Sequence, residues 1–237
     1  MEAAGYAALS RLSGLKNEMR VIANNIANAN TTGFRQEGII FSEYVQRADE
    51  GAAVAMSAAR VRNTSFEQGA LQQTNGTFDL AIEGDGFFLI NTPNGERLTR
   101  AGSFTPSAAG TLVTMDGYDV LGDGGAPVFV PPDATDLSFA ADGTMSAGGV
   151  PLGRIGVVRP IDPLKMVREG GVMFRTDGGF EQLEEPRIIQ GFIESSNVNP
   201  ILQISRMVEV QRAYEMGQSF LEKEDERIRS AMKAMIK

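Results

Sequence analysis

Asp-Gly and Asn-Gly pairs recur through the middle of this chain, at Asn75, Asp85, Asn94, Asp116, Asp123, Asp142 and Asp177. Each pair favours the left-handed backbone of a tight hairpin turn, so no long helix runs through the region. Short β-prone stretches lie between them: Phe87-Phe-Leu-Ile90, Gly117-Tyr-Asp-Val-Leu121 and Arg154-Ile-Gly-Val-Val158. The pattern predicts a central, mostly antiparallel all-β domain over 77–190. A content of 27 glycines in 237 residues agrees with a turn-rich middle.

The two ends read differently. From Ala3 to Asn28 there is no proline, and Leu12, Leu15, Met19, Ile22 and Ile26 follow one another at spacings of 3, 4, 3 and 4. That is the apolar seam of a coiled coil, with Arg11, Lys16, Glu18 and Arg20 forming a solvated face. Asn28-Ala-Asn-Thr-Thr-Gly33 ends the helix, and Asn30 or Gly33 supplies the left-handed residue that such an end needs. At the other terminus Asn199 reads as an N-cap and Pro200 as the first helical residue. A second proline-free helix follows to Met235. Its stripe is Ile204, Met207, Tyr214, Gly217, Leu221, Glu224, Ile228, Ala231 and Met235, interrupted by Gly217 and Glu224. Glu222 to Arg227 is a charged, wet face.

These readings divide the chain into a helical segment 1–35, an extended arm or hairpin 36–76, the β domain 77–190 and a second helical segment 191–237 that packs with the first. The fold class is α+β, with terminal helices pairing as a coiled coil beside the β domain. Whether they pair within one molecule or between molecules is open from the pattern alone, because a narrow seam is marginal without a partner. Asn24, Asn25 and Asn28 have two readings: a helix end fraying into a loop, or a buried register device.

The chain has no His, no Cys and no Trp. That removes the usual zinc, haem and iron–sulfur sites, His-dependent nucleophilic catalysis and disulfides. A formal charge of −8 argues against bulk nucleic-acid binding. The acidity belongs to the middle: residues 1–35 carry four Lys/Arg and two Asp/Glu, and residues 200–237 carry seven and six. No apolar run approaches the roughly 20 residues of a membrane span. Met1 to Leu15 lacks the charged and apolar regions of a cleaved secretory signal. Glu83-Gly-Asp-Gly86 has no third glycine and continues into a strand, so it is not a nucleotide loop. The Asp-Gly pairs lack calcium-loop spacing. Arg100-Ala-Gly-Ser-Phe104 reads as a strand entering a turn. Asp79, Glu83 and Asp85 are the one carboxylate group that invites comparison with a glycosidase pair. No catalytic, cofactor-binding or metal-binding residue is expected.

Val21-Ile-Ala-Asn-Asn-Ile-Ala-Asn-Ala-Asn-Thr-Thr-Gly-Phe-Arg35, preceded by Leu12-Ser-Gly-Leu15 and Met19, resembles the N-terminal signature of flagellar rod and hook proteins. Glu194-Ser-Ser-Asn-Val-Asn199 with Met207-Val and Gln211-Arg-Ala-Tyr-Glu215 resembles that family's second signature. Ala81-Ile-Glu-Gly-Asp-Gly-Phe-Phe88, Thr99-Arg-Ala-Gly-Ser-Phe104 and Gly110-Thr-Leu-Val-Thr114 agree with it, so the resemblance spans nearly the whole chain. The length is closest to a proximal rod subunit. The resemblance implies a non-enzymatic structural subunit of the periplasmic rod in the flagellar basal body. Such a subunit passes through the type III export apparatus and polymerises head-to-tail with its own copies and with related axial proteins. By the same resemblance the assembly interface comprises Leu12, Leu15, Met19, Ile22, Asn25, Ile26, Asn28 and Phe34, with Asn197, Asn199, Ile204, Met207, Tyr214, Leu221 and Ile228. A distal rod or hook-type subunit is the alternative within the family. Outside it stand a periplasmic carboxylate-dependent carbohydrate-active enzyme and a helix-binding adaptor.

Overall fold

A computed structural model of the chain describes residues 2–46 and 54–235. They form two compact units. One gathers 2–29, 36–46, 54–66 and 198–235; the other gathers 30–35 and 67–197.

The elements in chain order are α1 (Glu2–Ala27), β1 (Glu37–Gln46), β2 (Val54–Thr64), β3 (Leu71–Gln73), β4 (Leu80–Ile82), β5 (Phe87–Thr92), β6 (Gly95–Thr99), β7 (Phe104–Pro106), β8 (Leu112–Thr114), β9 (Asp119–Val120), β10 (Leu137–Phe139), β11 (Thr144–Ala147), β12 (Val150–Arg154), β13 (Val157–Pro160), β14 (Met166–Glu169), β15 (Met173–Thr176), β16 (Phe180–Gln182), β17 (Ile188–Gln190), β18 (Phe192–Glu194) and α2 (Pro200–Met235). Every strand pairing among the described residues is antiparallel. Two packed helices together with antiparallel sheets make the α+β class expected from the sequence.

In the helical unit α1 and α2 pack side by side and antiparallel, Leu12 meeting Gly217 and Asn25 meeting Gln203. Leu15, Ile22 and Val210 are the buried centre, with Met19, Ile26, Met207, Ala213 and Tyr214 packed around them. Asn199 caps α2: its Oδ1 accepts from the backbone N–H of Ile201 (3.1 Å) and Leu202 (3.2 Å). β1 and β2 form a long hairpin with a register shift at Ile40/Phe41, and α1 packs against both strands. Glu18, expected on a wet face, is instead buried, because Arg206 of α2 clasps it at 2.7 Å.

The β unit is built around β5. Its run Phe87-Phe-Leu-Ile90 is apolar throughout because alternate side chains enter two cores. Phe88 and Ile90 join Leu80, Phe104, Leu112 and Ile155. Phe87 and Leu89 join Leu98, Val158 and Phe174. β5 pairs with β6 along one flank and with β13 and then β9 along the other. The nine-stranded sheet runs β14-β15-β6-β5-β9-β8-β7, with β13 and β16 branching from β5. The stretch Arg154 to Val158, read from sequence as one run, is divided. Arg154 closes β12 of a three-stranded sheet and Val157 opens β13 of the large one. Ile155 and Gly156 make the crossing, their N–H groups bound to Gly143 and Leu121 carbonyls. Residues 30–35, read with the first helical segment, group with the β strands because Gly33, Phe34 and Arg35 are buried there.

Candidate functional site

α2 is a 36-residue helix in which only Val210 is buried among the described residues. Ile201, Leu202, Ile204, Val208, Met216, Phe220, Ile228, Met232 and Met235 are exposed. α1 adds exposed Tyr6 and Leu9. Of the residues expected at an interface, Leu12, Leu15, Met19, Ile22, Ile26, Met207 and Tyr214 are taken up by the chain's own helix pair. Leu221 is half-buried, while Ile204 and Ile228 face outward. Val210, the residue at the centre of the pair, escaped the sequence reading because the stripe was traced through Tyr214 and Met207. Gly217, which looked like a flaw in that stripe, is a point of close approach between the helices. A β-carbon there would stand 2.7 Å from Leu12 Cδ2.

Asn25 is the second close junction. It is 1% exposed. Its Nδ2 donates to the Glu37 carbonyl at 2.7 Å and to Gln203 Oε1 at 3.3 Å, and its Oδ1 accepts from the Glu37 N–H at 3.0 Å. One amide thus satisfies both backbone groups at the first residue of β1 and also reaches α2. Asn28 bonds within its own helix end, to Asn24. Asn25→Ala removes both bonds to Glu37 and the bond to Gln203 and is expected to cost about 1–3 kcal/mol. Chemical denaturation followed by helical circular dichroism measures this, and a loss below about 0.5 kcal/mol would refute the clamp.

Three sequence motifs far apart in the chain meet inside the β unit. Arg35, Arg100 and Glu194 are 1%, 3% and 1% exposed. Glu194 Oε1 pairs with Arg35 at 3.0 Å and accepts from the Gly69 N–H at 3.1 Å, while Oε2 pairs with Arg100 at 3.0 Å. Arg100 also donates to the carbonyls of Ile82 and Gly84, and Arg35 to that of Glu67. Burial lowers the pKa of Arg100 to about 10 against the opposing pull of Glu194, so it stays protonated at neutral pH. Burial lowers that of Arg35 as well. Around this cluster the Gly33 N–H donates to the Glu194 carbonyl at 2.7 Å. The Arg168 guanidinium lies 4.4 Å from the Phe34 ring centroid and 4.6 Å from that of Phe174. Phe34 and Asn197 belong to this interior: Phe34 is 1% exposed and its carbonyl accepts from the Asn197 N–H. From sequence, Arg100 opens a strand entering a turn. Nothing local marks it as buried, because its partner stands 94 residues away.

The carboxylates that suggested hydrolysis are engaged elsewhere. Asp79 accepts from the Thr74 and Ser103 hydroxyls at 2.6 and 2.9 Å. Glu83 pairs with Arg187 at 3.0 Å. Asp85 is exposed. Those of Asp79 and Glu83 are turn and strand-edge bonds. A cavity of about 310 Å³ lined by Thr31, Thr99, Ser103, Thr114 and Asp116 contains one carboxylate, and that residue is exposed. No helix among the described residues is long and apolar enough to cross a membrane.

Comparison with known proteins bears on this arrangement. Residues 6–35 match the family described as flagella basal body rod protein. Residues 81–147 match the flagellar hook protein FlgE/F/G D1 domain, and 189–234 the flagellar basal body rod FlgEFG protein C-terminal region. The chain is 38% identical over 243 residues to the flagellar basal-body rod protein FlgF of Caulobacter vibrioides, covering 99% of this chain and 98% of that one. It is 36% identical to the protein of the same name from Mesorhizobium japonicum, over 89% and 88% of the two chains. It is 32% identical to the flagellar basal-body rod protein FlgG of Bacillus subtilis, over 93% and 94%.

Proposed function

The chain belongs to the flagellar basal-body rod protein family, and from that premise we propose that its paired helices are the surface through which it polymerises, head-to-tail, with its own copies and with related axial subunits. It is a structural subunit of the rod, and identities of 38% and 36% to the C. vibrioides and M. japonicum FlgF proteins, against 32% to the B. subtilis FlgG, support the proximal part of the drive shaft. One observation carries the polymerisation reading. α2 exposes nine large apolar residues while burying only Val210 among the described residues. A helix so wet would be poorly stabilised by its single partner, and an apolar surface of this extent marks a protein contact. A head-to-tail contact that does not close on itself builds a helical shaft rather than a ring.

The chain works as a building block and carries no reaction. Assembly follows passage through the type III export apparatus, which a chain without disulfides can traverse unfolded. Deleting 1–29 or 200–237 is expected to abolish incorporation into basal bodies while leaving the β circular dichroism signal of the remainder intact. Isolation of basal bodies from cells making each truncated form tests this. Incorporation of a chain lacking α2 would overturn the reading.

A further inference from the structure

The pairing of α1 with α2 leaves one stretch of the same seam open. Val210, Tyr214, Gly217 and Leu221 follow each other at spacings of four, three and four, and Ile228, Met232 and Met235 continue that face. From Asp225 to Met235 every residue is exposed. Glu222, also exposed, follows Leu221 directly, beside this open seam.

A second face answers it. On α1, Tyr6 and Leu9 are 63% and 55% exposed, and Lys16 and Arg20 extend the same face, exposed as well. Apolar residues lead to basic ones on α1. On α2 the open apolar seam leads back to Glu222. The spacings match: Met232 and Glu222 are separated by the same ten residues as Tyr6 and Lys16, about 15 Å along either helix. Within one molecule the two surfaces cannot meet, because Leu12 and Gly217 already face each other across the pair and Tyr6, Leu9 and Lys16 lie away from that contact.

We propose that the open seam of α2 docks, antiparallel, onto the outer face of α1 in a second copy of this chain. Met232 then lies beside Tyr6, Ile228 beside Leu9 and Glu222 beside Lys16. The occupant is a second copy because apolar position, opposite charge and spacing are matched within this one sequence, and because the seam is continuous with the helix pair already formed. The proposal rests on the reading of the helices as the polymerising surface and adds which faces meet and in what register.

The chain contains no cysteine, so an introduced pair reports without background. Leu9→Cys and Ile228→Cys, on copies bearing different tags, are produced together in cells that build flagella, and basal bodies are isolated after mild oxidation. A disulfide-linked dimer carrying both tags is expected, and none when Leu9→Cys is combined with Glu185→Cys, a surface position of the β unit. In a second arm Glu222→Lys is expected to lower incorporation by about tenfold, through like charge against Lys16, and Lys16→Glu in the same chain to restore it. The proposal is overturned if both tagged copies enter basal bodies without a mixed dimer, or if Leu9→Cys captures only a different rod protein. It is equally overturned if the charge exchange fails to rescue, an arm that decides the matter even where a cysteine variant does not assemble. Absence of the tagged, cysteine-free chain from basal bodies would instead count against the polymerisation reading itself.

Discussion

Glu194→Gln is expected to lower the thermal midpoint of the β unit by on the order of 10–20 °C, equivalent to about 3–5 kcal/mol. The substitution keeps size and the acceptor for the Gly69 N–H but removes the charge between two buried guanidinium groups. Arg35 and Arg100 cannot discharge near neutral pH, and neither can move to water without opening the core that encloses it. The cost is therefore that of stranding two cations rather than of losing one bond. Converting all three residues together, Arg35→Met, Arg100→Met and Glu194→Leu, is expected to recover much of the loss, because a buried ion cluster returns little net stability over apolar packing. Thermal unfolding followed at a β-sheet wavelength distinguishes the two. A drop below about 1 kcal/mol for Glu194→Gln would show that the cluster is not closed to water.

Gly33→Ala is expected to be nearly as damaging, for a geometric reason. Gly33 has φ +69°, a left-handed conformation that costs an L-residue about 1–2 kcal/mol. The added β-carbon would also stand 2.3 Å from the backbone nitrogen of Ala101 and 2.4 Å from the carbonyl carbon of Arg100. Those atoms are main chain and cannot rotate aside. The two effects add, since the clash falls on the segment that carries Arg100, and a loss above about 3 kcal/mol is expected, at the severe end of single substitutions. Gly5→Ala is the matched control. Nothing lies within 4 Å of its would-be β-carbon, and in the first turn of α1 it is expected to gain up to about 1 kcal/mol. Urea denaturation of both variants measures the contrast, and equal midpoints would refute it.

The helices and the turn-punctuated β region were legible because each is written in a local period or a turn pair, whereas α1 stops at Ala27 and the left-handed residue expected at its end comes six residues later, at Gly33. Leu12 to Ile26 repeats at helical spacing, and Asn199-Pro200 starts a helix whatever lies beyond it. The strand Phe87 to Ile90 was legible as a strand, but not the two cores that it serves. The expected interface was legible as a set of apolar seam positions. Which of them the chain keeps for itself was not: Leu15 and Ile22 are buried with Val210, whereas Ile204 and Ile228 remain outside. The sequence shows helical periodicity, but the rotation of one helix against the other comes only from their contact.

From its residues alone this chain was determined to be an α+β rod subunit with helical ends and an acidic antiparallel centre, because hydrophobic period, turn chemistry and family motifs act over short stretches of sequence. Tertiary structure alone decided that Gly217 is a close-approach point and that Asn25 clamps β1. It alone placed Arg100 in a buried cluster with Glu194, 94 residues on, and Glu194 against the N–H of Gly69, 125 residues back. The physical reason is that desolvation and steric approach depend on which groups meet, and partners so distant in the chain leave no mark on the pattern around either one.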